Sequence, residues 1–456
     1  MPKTAKDTAD QLLFPQWLLT LDTQAKDQGL EPKENQAVVL SGTKIIDILP
    51  QKQALLAYPH LQPQHLQQQL LMPGLHNMHG HAAMSLFRGL ADDLPLMTWL
   101  EEHIWPAEGR HVSDEFVRSG TRLAIAEMLL SGTSCFSDMY FFPEVAAEVA
   151  QEMGMRIQVC APIIDFPNPW SENPDQALDK IQALHSKHQD SDLVEVAFGP
   201  HAPYTVSDPT LKKLVEINQK LGLRLQMHVH ETAFEVDKAV EDNGIRPLQR
   251  LDKLGLLDSN FMAVHLTQLN AEDIQLLAAR GVTAVHCPQS NLKLASGFSP
   301  IERMRQAGIS VCLGTDGAAS NNDLDLWAEM QTAALLAKAV DQNAAAVPAG
   351  YTLQMATVMG GQALSSQPYS GQLRKGFAAD LCSLKLDTPD CWPSHHLISQ
   401  LVYGRMADKV HQVWVAGQQK VSEGRLLGVD LQQLEDEAKY WQNRIQASFQ
   451  SQDTQA

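Results

Sequence analysis

The sequence predicts an α/β fold: a (β/α)8, TIM-like barrel with a small β-sandwich formed from both chain ends. Three observations carry that expectation. Eight short, β-rich apolar runs recur through the middle of the 456-residue chain, each followed by a stretch with helical periodicity, which is the alternation of parallel βα units. The runs are almost continuously hydrophobic, as strands covered on the outside by helices must be. Both ends instead carry short strand-like pieces separated by turn signals.

In chain order, the first flank offers strands over 14–21 and 36–49, and the glutamine-rich stretch 62–69 reads as a surface segment leading into the barrel. Barrel strands are expected over 71–77, 133–139, 156–164, 194–199, 223–228, 261–266, 282–286 and 309–315. Amphipathic helices are expected among the connections over 114–130, 208–220, 235–254 and 324–338. Strand-like pieces return over 380–386 and 409–426, and a helix closes the chain. The organisation that follows is 1–70 as the first part of the sandwich, 71–375 as the barrel, and 376–456 as the rest of the sandwich plus the terminal helix.

Charge narrows the partners. Lys plus Arg total 35 and Asp plus Glu 53, a net charge of -18 that would repel phosphate backbones and anionic membrane surfaces, so neither nucleic acid nor membrane is an expected partner. No run of 18 apolar residues exists, and residues 1–10 lack the charged-then-apolar order of a signal peptide, which points to a soluble, cytoplasmic protein. The six cysteines, with no CxxC pair and mostly inside apolar runs, read as buried thiols in a reducing compartment.

The chemistry gathers at strand ends. His79 and His81 close strand one with a spacing that points both imidazoles to one face, and Gly80 between them allows close approach. Strand four ends at His201, strand five at His228, strand six at His265 and strand eight at Asp316. In such a barrel the C-terminal strand ends converge on one site, so these residues become neighbours. Three neutral imidazoles and one carboxylate, with a position left for water, suit Zn²⁺ as Lewis acid; the set suits Fe²⁺ as well.

Met72-Pro73-Gly74-Leu75-His76-Asn77-Met78-His79-Gly80-His81, with His228, His265 and Leu313-Gly314-Thr315-Asp316, resembles the amidohydrolase superfamily over essentially the whole chain. The resemblance implies a metal centre at the mouth of a distorted (β/α)8 barrel. Binuclear members carry a carboxylated lysine at the end of strand four, whereas here that strand runs Val196-Ala197-Phe198-Gly199-Pro200-His201, so the resemblance implies one metal ion held by His79, His81, His228 and Asp316. The family's HxxE pattern fits His228-Val229-His230-Glu231 with His228 on the metal and Glu231 as acid/base, leaving His230 a neighbouring polar residue.

Further motifs narrow the branch: Arg88-Gly89-Leu90-Ala91-Asp92-Asp93-Leu94-Pro95-Leu96, Trp105-Pro106-Ala107-Glu108, Gly199-Pro200-His201-Ala202-Pro203-Tyr204, His286-Cys287-Pro288-Gln289-Ser290-Asn291 and Asp316-Gly317-Ala318-Ala319-Ser320-Asn321-Asn322. Together they are similar to the 5'-methylthioadenosine/S-adenosylhomocysteine deaminases. That implies hydrolytic deamination of an adenine ring in a nucleoside. The metal would lower the pKa of its water toward about 7, Asp316 would accept a proton, Glu231 would protonate the purine N1, and His265 would hold the hydroxide from the other side. Glu108 and His201 are implied to contact the purine or ribose, and a homodimer or higher homo-oligomer is the expected assembly.

Two other readings compete: a deaminase or hydrolase of another aminated heterocycle such as guanine, cytosine or an s-triazine, and a metal-free binding barrel. The retained ligands argue against the second. Trp99, Trp105 and Met97 follow strand one, where packing is the default role and a lid the functional one. No arginine occurs between Arg156 and Arg224, and Phe166, Pro167 and Trp170 would offer an apolar surface instead of a carboxylate clamp. That favours 5'-methylthioadenosine over S-adenosylhomocysteine.

Overall fold

The computed structural model describes residues 8–25, 29–364 and 369–453. Eight parallel strands, Leu75–Gly80, Thr133–Asp138, Arg156–Ile163, Val194–Pro200, Leu225–Val229, Phe261–His265, Thr283–His286 and Val311–Leu313, neighbour one another in sequence order. Strands one and eight close the ring through side chains. Asn77 donates to Thr315 Oγ1 at 2.7 Å and accepts from the Thr315 amide at 3.0 Å. Gly314 is required there, since a Cβ would stand 2.8 Å from the backbone of His79.

The helices Asp114–Leu130, Asp208–Leu221 and Leu326–Val340 cover the outside much as their periodicity predicts. The single helix expected over 235–254 is two, Ala233–Asn243 and Pro247–Lys253, because Gly244 turns left-handed (φ 71°) and Pro247 starts a new first turn. All six cysteines are free and buried, and Cys135, Cys287 and Cys312 pack with Met78, Val264 and Val285 in one apolar cluster.

Strand one begins four residues later than expected. Residues 71–73 belong to Pro63–Pro73, a strand of the second sheet that pairs in parallel with Gln11–Leu18 and antiparallel with Leu381–Lys385. The glutamine-rich stretch is therefore a strand of that sheet, with Gln62, Gln67 and Gln68 exposed as expected of a surface segment and Gln64 and Gln69 engaged. Its amides serve as cross-strand partners: Gln69 accepts from Ser383 Oγ at 2.7 Å, and Gln64 donates to Gln412 at 2.7 Å. The second sheet, nine strands drawn from both chain ends, curls so that Leu13, Leu40, Leu66, Leu381 and Trp414 share one core.

A buried ion pair ties the sheets together. Arg156, at the start of barrel strand three, reaches Asp380 just before Leu381–Lys385 at 2.8 Å, and the Ala416 amide donates to the same carboxylate at 2.7 Å. Removing one partner of such a pair costs about 3–5 kcal/mol. The last described element is the helix Leu431–Asp453, which packs on Asp114–Leu130. Among the described residues no helix is long and apolar enough to cross a membrane.

Candidate active site

The strand ends meet as the barrel requires. His79 and His81 from strand one, His228 from strand five, His265 from strand six and Asp316 after strand eight converge, with their ligand atoms in two overlapping groups: His79, His228 and His265; and His79, His81 and Asp316. His81 Nε2 lies 3.1 Å and His79 Nε2 3.5 Å from Asp316 Oδ1.

Each ring is oriented by what its other nitrogen touches. His79 Nδ1 faces Gln226 Oε1 at 2.8 Å, His81 Nδ1 the Met139 carbonyl at 2.6 Å, His228 Nδ1 the His201 carbonyl at 2.7 Å, and His265 Nδ1 Asn291 Oδ1 at 2.9 Å. Every one of those partners is an acceptor. Gln226 is fixed in that sense because its Nε2 donates to the Met78 carbonyl at 2.8 Å. Assigned from this network, each imidazole carries its proton on Nδ1 and turns an Nε2 lone pair inward. Two such lone pairs, on His79 and His228, stand 3.2 Å apart in this tautomer, an arrangement that a cation between the donors would satisfy. The donor set therefore suits a divalent metal.

The charges agree. Burial alone would raise Asp316, but a proton on the Nε2 of His79 or His81 facing it, in the place a metal ion would take, holds it well below the carboxylate range. Burial disfavours a charge on His81, yet Asp316 outweighs this and lifts it to about 9, so the same spot attracts a positive charge. Ser290 Oγ donates to Asp316 Oδ2 at 2.7 Å and fixes the carboxylate's other oxygen.

Glu231 closes the group, with Oε2 3.8 Å from His265 Nε2. Burial first, then the Asp316 charge, raises its carboxyl to about 8. Its position depends on a left-handed kink at His230 (φ 54°), which ends strand five and turns the two neighbouring side chains apart. The His230 ring points away from the site and accepts from the Leu248 amide at 3.2 Å. Glu235 holds the kink, taking the His230 amide at 2.9 Å and the Glu231 amide at 2.8 Å. Similar kinks occur at His265 and Leu266 (φ 74° and 52°) and at Asp316 (φ 63°).

A cavity of about 130 Å³ lies over these groups, lined by His81, His228, Glu231, His265 and Asp316 and also by Glu108 and His201. Glu108 accepts from Tyr140 at 2.7 Å, and burial, opposed by that bond, raises its carboxyl to about 7. His201 is pushed down to about 4 by burial, so it is neutral at pH 7. The roof is a helical run whose turn Trp99–Ile104 is π-helical, bringing Trp99, Trp105 and Glu108 to the cavity together. The tryptophans thus face the cavity instead of merely packing.

The segment after strand three splits. Phe166 lines the cavity, but Trp170 is buried with its Nε1 on the Glu144 carboxylate at 3.0 Å, so it braces a helix and offers no apolar surface to a ligand. Sequence reasoning gave no role to Gln226, Glu235, Ser290, Asn291 or Tyr140. Ser290 and Asn291 lie inside one of the motifs above, and Glu235 is an acid in the first turn of a helix; Gln226, a polar residue two positions before His228 on the same face of a strand, is the available signal for a partner behind a ligand.

Comparison with known proteins agrees with this geometry. The amidohydrolase family matches residues 70–420. A 5-methylthioadenosine/S-adenosylhomocysteine deaminase of Saccharophagus degradans is 46% identical, over 97% of this chain and 98% of its own. A 5'-deoxyadenosine deaminase of Methanopyrus kandleri is 41% identical over 80% of this chain and 84% of its own. Among solved structures, an adenosine deaminase from Xanthomonas campestris with bound zinc is 42% identical, covering 96% of this chain and 99% of its own with a TM-score of 0.92. An atrazine chlorohydrolase from Arthrobacter aurescens, 21% identical over 95% of this chain and all of its own, shares the fold with a TM-score of 0.87.

Proposed function

The chain belongs to the amidohydrolase family and, within it, to the 5-methylthioadenosine/S-adenosylhomocysteine deaminases, and from that premise we propose that it hydrolyses the adenine ring of 5'-methylthioadenosine to the inosine analogue and ammonia. Adenosine and S-adenosylhomocysteine are the secondary candidates. The observation that carries the reading is the set of inward-facing Nε2 lone pairs beside a carboxylate, with a raised carboxyl, Glu231, opposite.

The metal is zinc in this reading, one ion per chain held by His79, His81, His228 and Asp316. Support comes from the donor set and from the zinc bound by the Xanthomonas protein. When bound, it supplies the Lewis acidity that makes water a nucleophile at neutral pH. The remaining work falls to side chains. Glu231 starts protonated, gives its proton to the purine N1 as water adds at C6, takes the remaining proton from the added hydroxyl and passes it to the departing amine, and is re-protonated by the water proton that Asp316 accepted. His265, with Nδ1 committed to Asn291, has an Nε2 lone pair free to hold a proton of the attacking water. Asp316, ionised, can accept that proton, while Glu108 and His201 contact the ribose and purine.

Among the described residues no lysine or arginine lines the inner cavity, and Arg88 is paired with Glu127. A carboxylate on the 5' substituent would therefore lack a cation there, so 5'-methylthioadenosine should have a kcat/KM roughly two decades above S-adenosylhomocysteine. The test is ammonia release from both nucleosides, adenosine, guanine and cytosine, with metal measured on the same sample. Turnover of guanine or cytosine alone would overturn the reading.

We also propose a homodimer or higher homo-oligomer acting in the cytoplasm, with the expected domain limits kept except that the first moves from 70 to 73, past the strand Pro63–Pro73, giving 1–73, 74–375 and 376–456. The exposed Leu130 and Leu431, which line one shallow apolar surface pocket, and the six buried free thiols support the first two points.

A further inference from the structure

Beyond the inner cavity lies a second, larger space. A groove of about 800 Å³ shares Leu96, Phe166, Tyr204 and Glu231 with it, so the two are continuous at the mouth. A nucleoside whose adenine sits at the metal ligands must send its far end out through that mouth. The 5' substituent is therefore the occupant that reaches the groove first.

The groove has a definite chemistry. Phe166, Tyr204 and Phe234 present half-exposed rings along it. Its cations are spent: Arg250 is held by Asp208 at 2.7 Å and by the Pro203 and Val206 carbonyls, and Lys238 pairs with Asp242 at 2.8 Å and Glu241 at 3.4 Å. Asp165 is the opposite case. Its carboxylate is exposed and accepts from the Ser207 amide at 3.0 Å and Thr210 Oγ1 at 2.8 Å, both neutral, and no cation pairs with it among the described residues. An unmatched carboxylate beside aromatic faces is a setting that attracts an ammonium group and repels a carboxylate.

We propose that this groove selects adenine nucleosides whose 5'-thio substituent ends in an ammonium group without a carboxylate. The inference rests on the deaminase reading above and specifies which substrates that site prefers.

Three compounds isolate the point: 5'-propylthio-5'-deoxyadenosine, its 3-aminopropylthio analogue, and S-adenosylhomocysteine, which adds a single carboxylate to the aminopropyl chain. One exposed ion pair and one cation–π contact together predict a kcat/KM for the ammonium compound roughly three- to tenfold above the neutral one at low ionic strength. S-adenosylhomocysteine should fall below both. The ammonium advantage should shrink on adding about 0.5 M salt, a measurement that needs no variant. Asp165→Asn, which keeps an acceptor for Thr210, should lower the ratio of ammonium to neutral kcat/KM by the ion pair's share, about two- to fivefold, and leave the aromatic share in place. Equal kcat/KM for the neutral and ammonium compounds, or an advantage indifferent to salt and to Asp165→Asn, would overturn the inference. Adenosine and 5'-methylthioadenosine run alongside separate the two claims: if neither releases ammonia, the deaminase reading itself has failed.

Discussion

Gln226→Leu tests whether the metal site is built on tautomers. His79 is fully buried, and the one acceptor for its Nδ1 proton is Gln226 Oε1 at 2.8 Å. Leucine fills similar space but leaves that N–H facing an apolar group, at a cost of about 1–3 kcal/mol. The ring can escape by carrying its proton on Nε2, where it points at His228 Nε2, 3.2 Å away, and makes a new hydrogen bond. That tautomer cannot bind metal, so the ion must displace it. Loss of a comparable partner behind a ligating imidazole weakens metal binding by about 10- to 100-fold, or about 1.4–2.8 kcal/mol. Competition against a chromophoric chelator measures the Kd, and kcat is read at saturating metal. The expected result is a Kd raised within that range and a kcat within about threefold of the parent enzyme. An unchanged Kd would show that Gln226 does not set the tautomer, and a collapsed kcat with unchanged Kd would place it in the reaction instead.

Glu231→Gln should keep its metal yet lose about two to four decades of kcat, since the amide has the shape of the acid without its proton; His230→Gln, whose ring faces Leu248, should change kcat little in the same ammonia assay. Complete removal of metal by a chelator should abolish turnover and zinc should restore it, at one ion per chain by elemental analysis; two tightly held ions would contradict the proposed ligand set. Among the described residues His286 has no partner for either ring nitrogen, and burial pushes it down to about 3. Below pH 6.5 the unfolded chain takes up a proton that the folded His286 refuses, so its contribution makes stability fall with falling pH, from 6.5 down to about 3. Urea unfolding at pH 7.5 and 5.0 should therefore show the parent losing about 2 kcal/mol more than His286→Leu between the two conditions; equal losses would mean that the ring is hydrated or paired.

The sequence exposed what periodicity and strand-end position encode. His79, His81, His228, His265 and Asp316 could be placed at one mouth because parallel strands in a barrel end on one face, and the structure brings them within ligand distance. What escaped were features set by single backbone angles or by partners remote in sequence. His230 shares the spacing that would put it beside His228; the HxxE pattern already set it aside, but the physical reason, a left-handed residue that turns its ring away, was not legible. Trp170 looked like pocket lining because composition says nothing of Glu144, 26 residues earlier, which claims its indole. The glutamines of 62–69 looked like a solvated run because their partners, Ser383 and Gln412, lie more than 300 positions along the chain.

The left-handed residues at His230, His265, Leu266 and Asp316 carry a consequence for how this protein fails. None is glycine, and each such conformation costs about 1–3 kcal/mol unless its surroundings enforce it. The barrel's strands and the Glu235 clamp are that enforcement, so the reacting groups sit at the least relaxed points of an otherwise regular framework. On heating, these corners should give way while the sheets behind them still hold. Activity and metal should then be lost before the cooperative melting transition, and a heated sample would pass through a folded but inert state.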